Sequence, residues 1–574
     1  MENKTARESV IYQIYPPSFM DSNNDGWGDL NGIATRIPYL HQLGIDTIWL
    51  GPVYDSPMID NGYDIRDYYK IDPKYGTMEQ FESLLEQLHH IDMKLIMDLV
   101  INHTSDEHPW FEQSRSSKDN PYRDYYIWRP AKSDGTEPNN WRSFQNESAW
   151  TYDEQTDEYY LHLFDRKQPD LNWEHPPLRQ EIYKMIRWWL DKGIDGFRLD
   201  AINMISKHPD LPDASEDDPH PIGQKYYKNG PRIHEFLQEL NRETFAHYPH
   251  ILTIGEAPSL TMEQVLEYTL PDRKELNMVL AMDMMRLGKD PHDPWRSADW
   301  SVSQLKESVA KWYEHVFARG EYGVYLSTHD HPRMIPDVVG HHEHNMTAAK
   351  LIATFLHLIP GVPLVYQGEE LGLPNTTYDR IEDYRDQGTV HYYEEAVANG
   401  QSAEEVLSGI HKRSRDGSRS PMLWDHQHHN FGFSPDEHVE PWIPFPEKRG
   451  LKGYSVSEQE EQRGSVLSYY RHLIAMRKQF PIMSHGSFTM LLKDHSEVFA
   501  FIREWQSQRW LILLNFADIE AEIDWTQEYR VFPTSMVKIL GNYPHTAHPP
   551  HLEEEQYIED LQYLRPYEVL IYRM

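Results

Sequence analysis

Charged residues end several of the apolar runs in this chain. Asp98 lies in KLIMDLV (94–100) with His103 just beyond it, Arg198 and Asp200 close DGFRLDA (195–201), Glu256 closes ILTIGEA (251–257), and His329 with Asp330 close YGVYLSTHD (322–330). Any one of them alone reads as a strand cap or half of a salt bridge; several at the ends of successive runs point to chemistry. The stretch GIDGFRLDAIN (193–203) is the anchor. In a strand its side chains alternate, so Phe197 and Leu199 take one face and Arg198 and Asp200 the other. If both faces are buried, as in a parallel sheet, that charged pair points into a site. Three carboxylates, Asp200, Glu256 and Asp330, with no cysteine and no metal-ligand spacing among them, suit cleavage of a glycosidic bond, where one acid attacks the anomeric carbon and another protonates the leaving oxygen.

The elements that must carry these residues can be read from periodicity. Apolar runs of strand length recur at 10–16, 45–52, 94–100, 195–201, 251–257, 277–283, 322–330 and 361–370. Between them lie stretches such as 78–91 and 178–193, whose apolar residues recur every three or four positions. Eight strands, each followed by a helix, predict an α/β fold, a (β/α)8 TIM barrel whose active site lies at the C-terminal strand ends. The barrel is expected over 1–103 and 175–481, with a long excursion at 372–453 after strand eight. An inserted lobe after strand three, 104–174, is polar, aromatic and short of helical periodicity. From 482 to 574 the pattern becomes period-two runs without helices, which predicts a C-terminal antiparallel β domain, expected as a β-sandwich.

Composition narrows the partners. The 574 residues carry 55 basic against 91 acidic side chains, a net charge of −36, which repels nucleic acid and anionic lipid. There is no cysteine, so disulfides and thiolate chemistry are excluded, and a reducing compartment fits. The start, MENKTARESV, has no apolar segment, so no signal peptide is expected, and the most apolar window, 351–366, is interrupted by His357 and Pro360. The expectation is a soluble, cytoplasmic monomer or homodimer with a small-molecule substrate. The 17 Trp and 36 Tyr serve packing first, and aromatic faces in a cleft would also suit sugar rings.

At this point a resemblance becomes specific. DLVINH (98–103), GFRLDAIN (196–203), GEAP (255–258) and HD (329–330) are similar, in order and spacing, to the four signature regions of the α-amylase superfamily, glycoside hydrolase family 13. QPDLN (168–172) resembles an extra motif of its oligo-1,6-glucosidase and α-glucosidase branch. The resemblance implies a retaining mechanism with Asp200 as nucleophile, Glu256 as acid and then base, and Asp330 holding the ring hydroxyls. Arg198 would keep Asp200 ionised, while Glu256 needs a less compensated environment to be protonated at the first step. A retaining outcome predicts the two carboxyls about 5 to 5.5 Å apart. The glucose pocket maps onto Asp60, Tyr63, His103, Arg198, His329 and Arg419. Tyr63 would stack on the ring, and Arg419, with Arg415 as the alternative, would pair with Asp60 and close the far side so that only a terminal glucose enters. Phe164 would wall the next subsite.

A metal loop is also readable. Asp21, Asn23, Asp25 and Asp29, with Gly26 and Gly28 between them, space oxygen ligands as a hard cation requires. The branch carries a structural calcium there, with the Trp27 carbonyl contributing, and no catalytic cofactor is implied.

Two departures from the branch are HDHPR (329–333), where His331 replaces the usual glutamine, and IYPPSF, where Pro17 replaces an arginine. Ala201, directly after the nucleophile, bears on linkage: valine there goes with α-1,6 preference and smaller residues with α-1,4. The expected activity is release of glucose from short α-glucosides, α-1,4 favoured, with transglucosylation. The rivals are an oligo-1,6-glucosidase, a sucrose isomerase or a trehalose-6-phosphate hydrolase on the same scaffold, and a non-catalytic transporter heavy-chain-like protein, which would lack the acids.

Overall fold

The structure is a computed structural model. It describes residues 6–574 except 216, 220, 291–294, 297, 335–344, 446–447, 527, 529–534, 544–554 and 558–560; the first half of the chain start singled out above therefore lies outside the described residues.

Eight parallel strands form a closed barrel: β1 (Ile11–Ile14), β2 (Thr47–Leu50), β3 (Lys94–Val100), β4 (Gly196–Asp200), β5 (Leu252–Gly255), β6 (Met278–Leu280), β7 (Tyr322–Val324) and β8 (Val362–Tyr366). They pair in chain order and β8 returns to β1, with Ile11 opposite Leu364. All eight expected strands are present, but most are shorter than the apolar runs. The run 322–330 gives a strand only as far as Val324; beyond it, Asp330 N–H turns back onto the Thr328 hydroxyl, at 3.1 Å, so His329 and Asp330 lie on a rim loop. Every residue of β4 is buried, as a strand covered on both faces must be. β4 opens on Gly196, with φ +145°; a Cβ there would lie 1.9 Å from the Leu252 carbonyl oxygen of β5. Only glycine admits that approach.

The helices end where their caps say. Met78–His90 begins at a capping box between Thr77 and Gln80 and buries Phe81, Leu84, Leu85 and Leu88 on one stripe. Pro176–Asp191 starts on a proline, whose missing N–H costs a first turn nothing. Val466–Gln479 is capped by Ser465.

The chain divides into two compact units, one of Met1–Gly28, Thr35–Ile48 and Ala281–Met574, the other of Asp29–Ala34 and Trp49–Leu280. In the second unit, the stretch after β3 holds a three-stranded sheet with Glu158–Leu161 between Trp128–Arg129 and Trp150–Asp153. It also holds a helix, Pro109–Ser116, which the sequence reading did not expect. That helix is two turns long and buries only Phe111 and Ser114, too few apolar positions to show a period. In the first unit, the residues after 482 build an antiparallel sheet from Ser487–Leu491, Val498–Trp505, Gln508–Asn515, Val569–Arg573, Met536–Gly541 and Glu555–Gln556, in that order. One face packs on Ile523, Trp525 and Leu564. Among the described residues, no helix is long and apolar enough to cross a membrane.

Candidate active site

In the second unit the site is built around one guanidinium. Arg198 points inward from the middle of β4 and is fully buried. Its Nη1 lies 2.6 Å from Asp98 Oδ1 on β3 and 2.7 Å from Asp200 Oδ1 at the end of β4. Its Nη2 lies 2.7 Å from Glu256 Oε2, one residue past β5. The register explains this: Asp98 is opposite Arg198 across β3 and β4, and Arg198 is opposite Ile254 across β4 and β5. The less compensated environment expected for Glu256 is not what the structure shows. Glu256 shares the cation that serves Asp200 and also accepts the Ala201 N–H at 3.2 Å. Neighbouring strand ends bring both acids within reach of one planar fork. Burial works against the charge on Arg198, but Glu256, Asp98, Tyr63 and Asp200 together hold its pKa well above the usual value.

Ala201 takes φ +42°, a left-handed conformation that turns the chain immediately after Asp200 and aims its N–H at Glu256. Asp98 accepts Trp49 Nε1–H at 3.0 Å and the Tyr63 hydroxyl at 3.2 Å. Burial pushes its carboxyl up to about 6 against the pull of Arg198. Tyr63 sits on a tight loop in which its N–H returns to the Asp60 carbonyl at 3.0 Å. His103 faces two amides, Asn102 Nδ2 at its Nδ1 and Gln168 Nε2 at its Nε2, each at 3.2 Å. Burial holds its pKa below the usual value, so it is neutral at pH 7. Gln168 also donates to Asp60 Oδ2 at 3.2 Å. Phe164 packs 4.8 Å from the His103 ring and stacks on Phe144 at 5.0 Å. Asp60, Tyr63, His103, Phe164, Arg198, Asp200, Ala201 and Glu256 thus belong to one connected cluster.

In the first unit, His329 is buried against Tyr15, ring centroids 5.4 Å apart. Gln13 Nε2 stands 2.7 Å from His329 Nδ1. An amide nitrogen only donates, so Nδ1 accepts and the Nε2–H faces Asp330 Oδ2, 3.1 Å away. Asp330 Oδ1 is held by Arg415 Nη1 at 3.1 Å and Arg419 Nη2 at 3.4 Å. The two arginines differ. Arg419 is 1% exposed, donates its Nε–H to the His329 carbonyl at 2.7 Å and lies 3.8 Å from Asp416. Arg415 keeps 28% of its side chain exposed and bridges Asp330 to Asp386. Arg419 therefore works as an internal prop for the His329–Asp330 loop, and Arg415, the alternative reading, is the more exposed of the two arginines on Asp330.

The loop expected to hold a metal is also in place. Asp21 Oδ1 accepts the N–H groups of Asn23 at 2.9 Å and Asn24 at 2.8 Å, and its Oδ2 accepts that of Gly26 at 2.9 Å. Asp25 accepts the Trp27 N–H at 2.8 Å and the Asn23 side-chain amide at 3.0 Å. Gly26, with φ +86°, passes so close to the Glu440 carbonyl that a Cβ would lie 2.3 Å from it. Asp29, in the second unit, caps Leu30–Thr35 through the Gly32 N–H at 2.8 Å. Among the described residues no three His, Asp or Glu side chains are grouped to hold a metal. A cation here would need the mixed set of Asp, Asn and carbonyl oxygens, all of them hard donors with lone pairs left over, and that chemistry fits calcium.

The profile described as "Alpha amylase, catalytic domain" matches residues 13–486. The chain belongs to the α-amylase family. It is 44% identical to an oligo-1,6-glucosidase of Parageobacillus thermoglucosidasius over the full length of both proteins. Among solved structures, the trehalose-6-phosphate hydrolase of Bacillus licheniformis superposes with TM-score 0.90 at 37% identity, and the isomaltulose synthase SmuA of Protaminobacter rubrum with 0.91 at 36%, each covering 100% of both chains.

Within this family frame, sequence reasoning passed over three supports. Gln13 is the lone polar residue of β1, a signal that was present and unused. Gln168 stands in the QPDLN motif and bridges Asp60 to His103. Lys207, fully enclosed, reaches Asp170 at 2.7 Å and Asn102 Oδ1 at 2.8 Å, and no local pattern betrays a lysine whose partners are 37 and 105 residues away.

Proposed function

We propose that this glycoside hydrolase is a retaining, exo-acting α-glucosidase that releases glucose from the non-reducing end of short α-glucosides and also transfers it to sugar acceptors. The observation that carries the reading is Arg198 bound at once to Asp200 and Glu256, at the ends of adjacent parallel strands. Asp200, kept ionised by that charge, attacks the anomeric carbon while Glu256 gives a proton to the departing oxygen; Glu256 then takes a proton from the water, or acceptor hydroxyl, that resolves the glucosyl ester. In the resting site Glu256 Oε2 lies 2.7 Å from Arg198 Nη2. Asp330, oriented by His329 and Arg415, would hold ring hydroxyls, and Tyr63, His103 and Phe164 would shape the glucose pocket.

Ala201 supports α-1,4 substrates. A second reading, oligo-1,6-glucosidase, is favoured by the full-length relatives of that name. A calcium ion held by Asp21, Asn23, Asp25, the Trp27 carbonyl and Asp29 would cross-link the first strand-to-helix loop, with no part in the chemistry. The absence of cysteine from all 574 residues supports work in the cytoplasm. The deciding experiment incubates the enzyme separately with maltose, isomaltose, sucrose and trehalose 6-phosphate and follows the products. Glucose from maltose or isomaltose, abolished in Asp200→Ala, is the expected result; no turnover of any of the four sinks the reading.

A further inference from the structure

In the first unit, the loop after β7 carries His329 and Asp330 between Ser327 and Arg333, and its ends are anchored in different ways. At the far end Arg333 donates its N–H to Asn375 Oδ1 at 2.7 Å and its Nη2–H to the Gln367 carbonyl at 2.8 Å. Between the ends, the Ser418 hydroxyl donates to the Thr328 carbonyl at 3.0 Å. These anchors use groups that do not change charge near neutral pH. The near end uses a carboxyl. The Ser327 hydroxyl donates to Glu369 Oε1, and Glu369 Oε2 accepts the Tyr366 N–H at 2.9 Å. Both side chains are buried. Glu369 opens the short turn Glu369–Leu371 just past β8, and β8 lies beside β7 with Pro363 opposite Val324, which is how the carboxyl reaches the start of the loop. A backbone N–H cannot accept, so any proton on Glu369 sits on Oε1 and points at Ser327 Oγ. Ser327 therefore donates to the ionised acid and accepts from the protonated one. The contact exists in both states, but the charged acceptor makes it about twice as strong.

We propose that Glu369 is a positioning residue for the reaction: through Ser327 it sets how firmly the loop holds His329 and Asp330, and loss of its proton tightens that hold. The inference rests on the α-glucosidase reading, in which Asp330 holds ring hydroxyls of the substrate. The surroundings put this change within the working range of pH. Glu369, Ser327, Arg333 and Tyr470 line one enclosed cavity of about 10 Å³. Burial pushes the Glu369 carboxyl up to about 7, against the pull of Ser327, the Tyr366 N–H and Arg333, with the neighbouring Glu370 adding to the rise. Burial also raises Glu370, but its oxygens are taken by Tyr12, Tyr39 and the Gly368 N–H, so it is Glu369 that meets the loop. Tyr12, Tyr39 and Tyr470 are held protonated by burial.

The test divides kcat/KM of the wild type by that of Glu369→Gln at each pH from about 5 to about 9, on whichever of maltose and isomaltose is cleaved faster. Glutamine reproduces the protonated acid, accepting from Tyr366 through Oε1 and donating to Ser327 through Nε2. Ionisations of Asp200 and Glu256 are common to both enzymes and cancel in the ratio. The ratio should stay near one in acid and rise through about pH 7 to about fivefold in base, the difference between a charge-assisted and a neutral hydrogen bond. In a Ser327→Ala background the same ratio should be flat, because the hydroxyl that transmits the change is gone. A flat ratio in the wild-type background, whatever its size, makes Glu369 a purely structural residue and overturns the inference. A pH-dependent ratio that survives Ser327→Ala overturns it as well. The first comparison uses a near-isosteric variant and decides the question by itself if Ser327→Ala does not fold. Failure of the wild type to cleave either sugar counts instead against the glucosidase reading, so the two failures are separable.

Discussion

Arg198 shows how one side chain can make a site and be required by it. Three carboxylates converge on its guanidinium, so each acid depends on the same cation and is repelled by the other two, and none can be judged alone. Ala201, beside it, holds a strained φ that a β-branched residue tolerates less well. Ala201→Val should lower thermal stability by about 1–2 kcal/mol, from backbone strain and crowding against Met204, and should raise the isomaltose-to-maltose ratio of kcat/KM; melting curves and parallel assays check both. Glu369 is a separate case. It is enclosed with Ser327, takes the Tyr366 N–H at 2.9 Å, and burial pushes it up to about 7 even with Arg333 nearby. Its neighbour Glu370 accepts from Tyr12 and Tyr39, each at 2.7 Å. Because the folded value is raised, the native state keeps a proton that the unfolded chain has lost between its ordinary value and 7. The stabilisation is complete below that window and fades as pH rises through about 7. Glu369→Gln should remove the slope, so that between pH 4.5 and 8 the wild type loses about 3 kcal/mol relative to the variant, read by urea unfolding across pH.

At the scale of elements, the strand ends decide what meets what. Gly196 lets β4 and β5 approach, and that approach places Glu256 beside Ala201. The loop after β4 is then tied by Lys207 to Asn102 after β3 and to Asp170 of QPDLN. Removing the lysine leaves a buried carboxylate without its cation, a loss of about 3–5 kcal/mol. Lys207→Met should therefore melt markedly earlier and expose 104–174 to protease sooner. The double variant Lys207→Met/Asp170→Asn should recover part of that stability, which separates the lost pair from a general packing defect.

For the whole molecule, the net charge of −36 sets self-repulsion against folding, and a bound calcium would relieve it at the Asp21–Gly28 loop. Chelation by EDTA should lower the melting temperature, with calcium restoring it, and should leave kcat at 25 °C within about twofold, since the loop's acids are not those of the site. The barrel, its eight strands and the terminal β region were legible in the sequence, because buried parallel strands write continuous apolar runs, and the candidate acids Asp200 and Glu256 stood out because they interrupt those runs near their ends. Those features are local, so the sequence by itself determined them. The eight-residue helix at Pro109–Ser116, the sharing of Arg198 by Glu256, the inward prop made by Arg419 and the buried Lys207 were decided only by tertiary structure. Each depends on which distant groups are brought within a few ångströms in a medium of low dielectric, and a side chain's charge partner cannot be read from its neighbours along the chain.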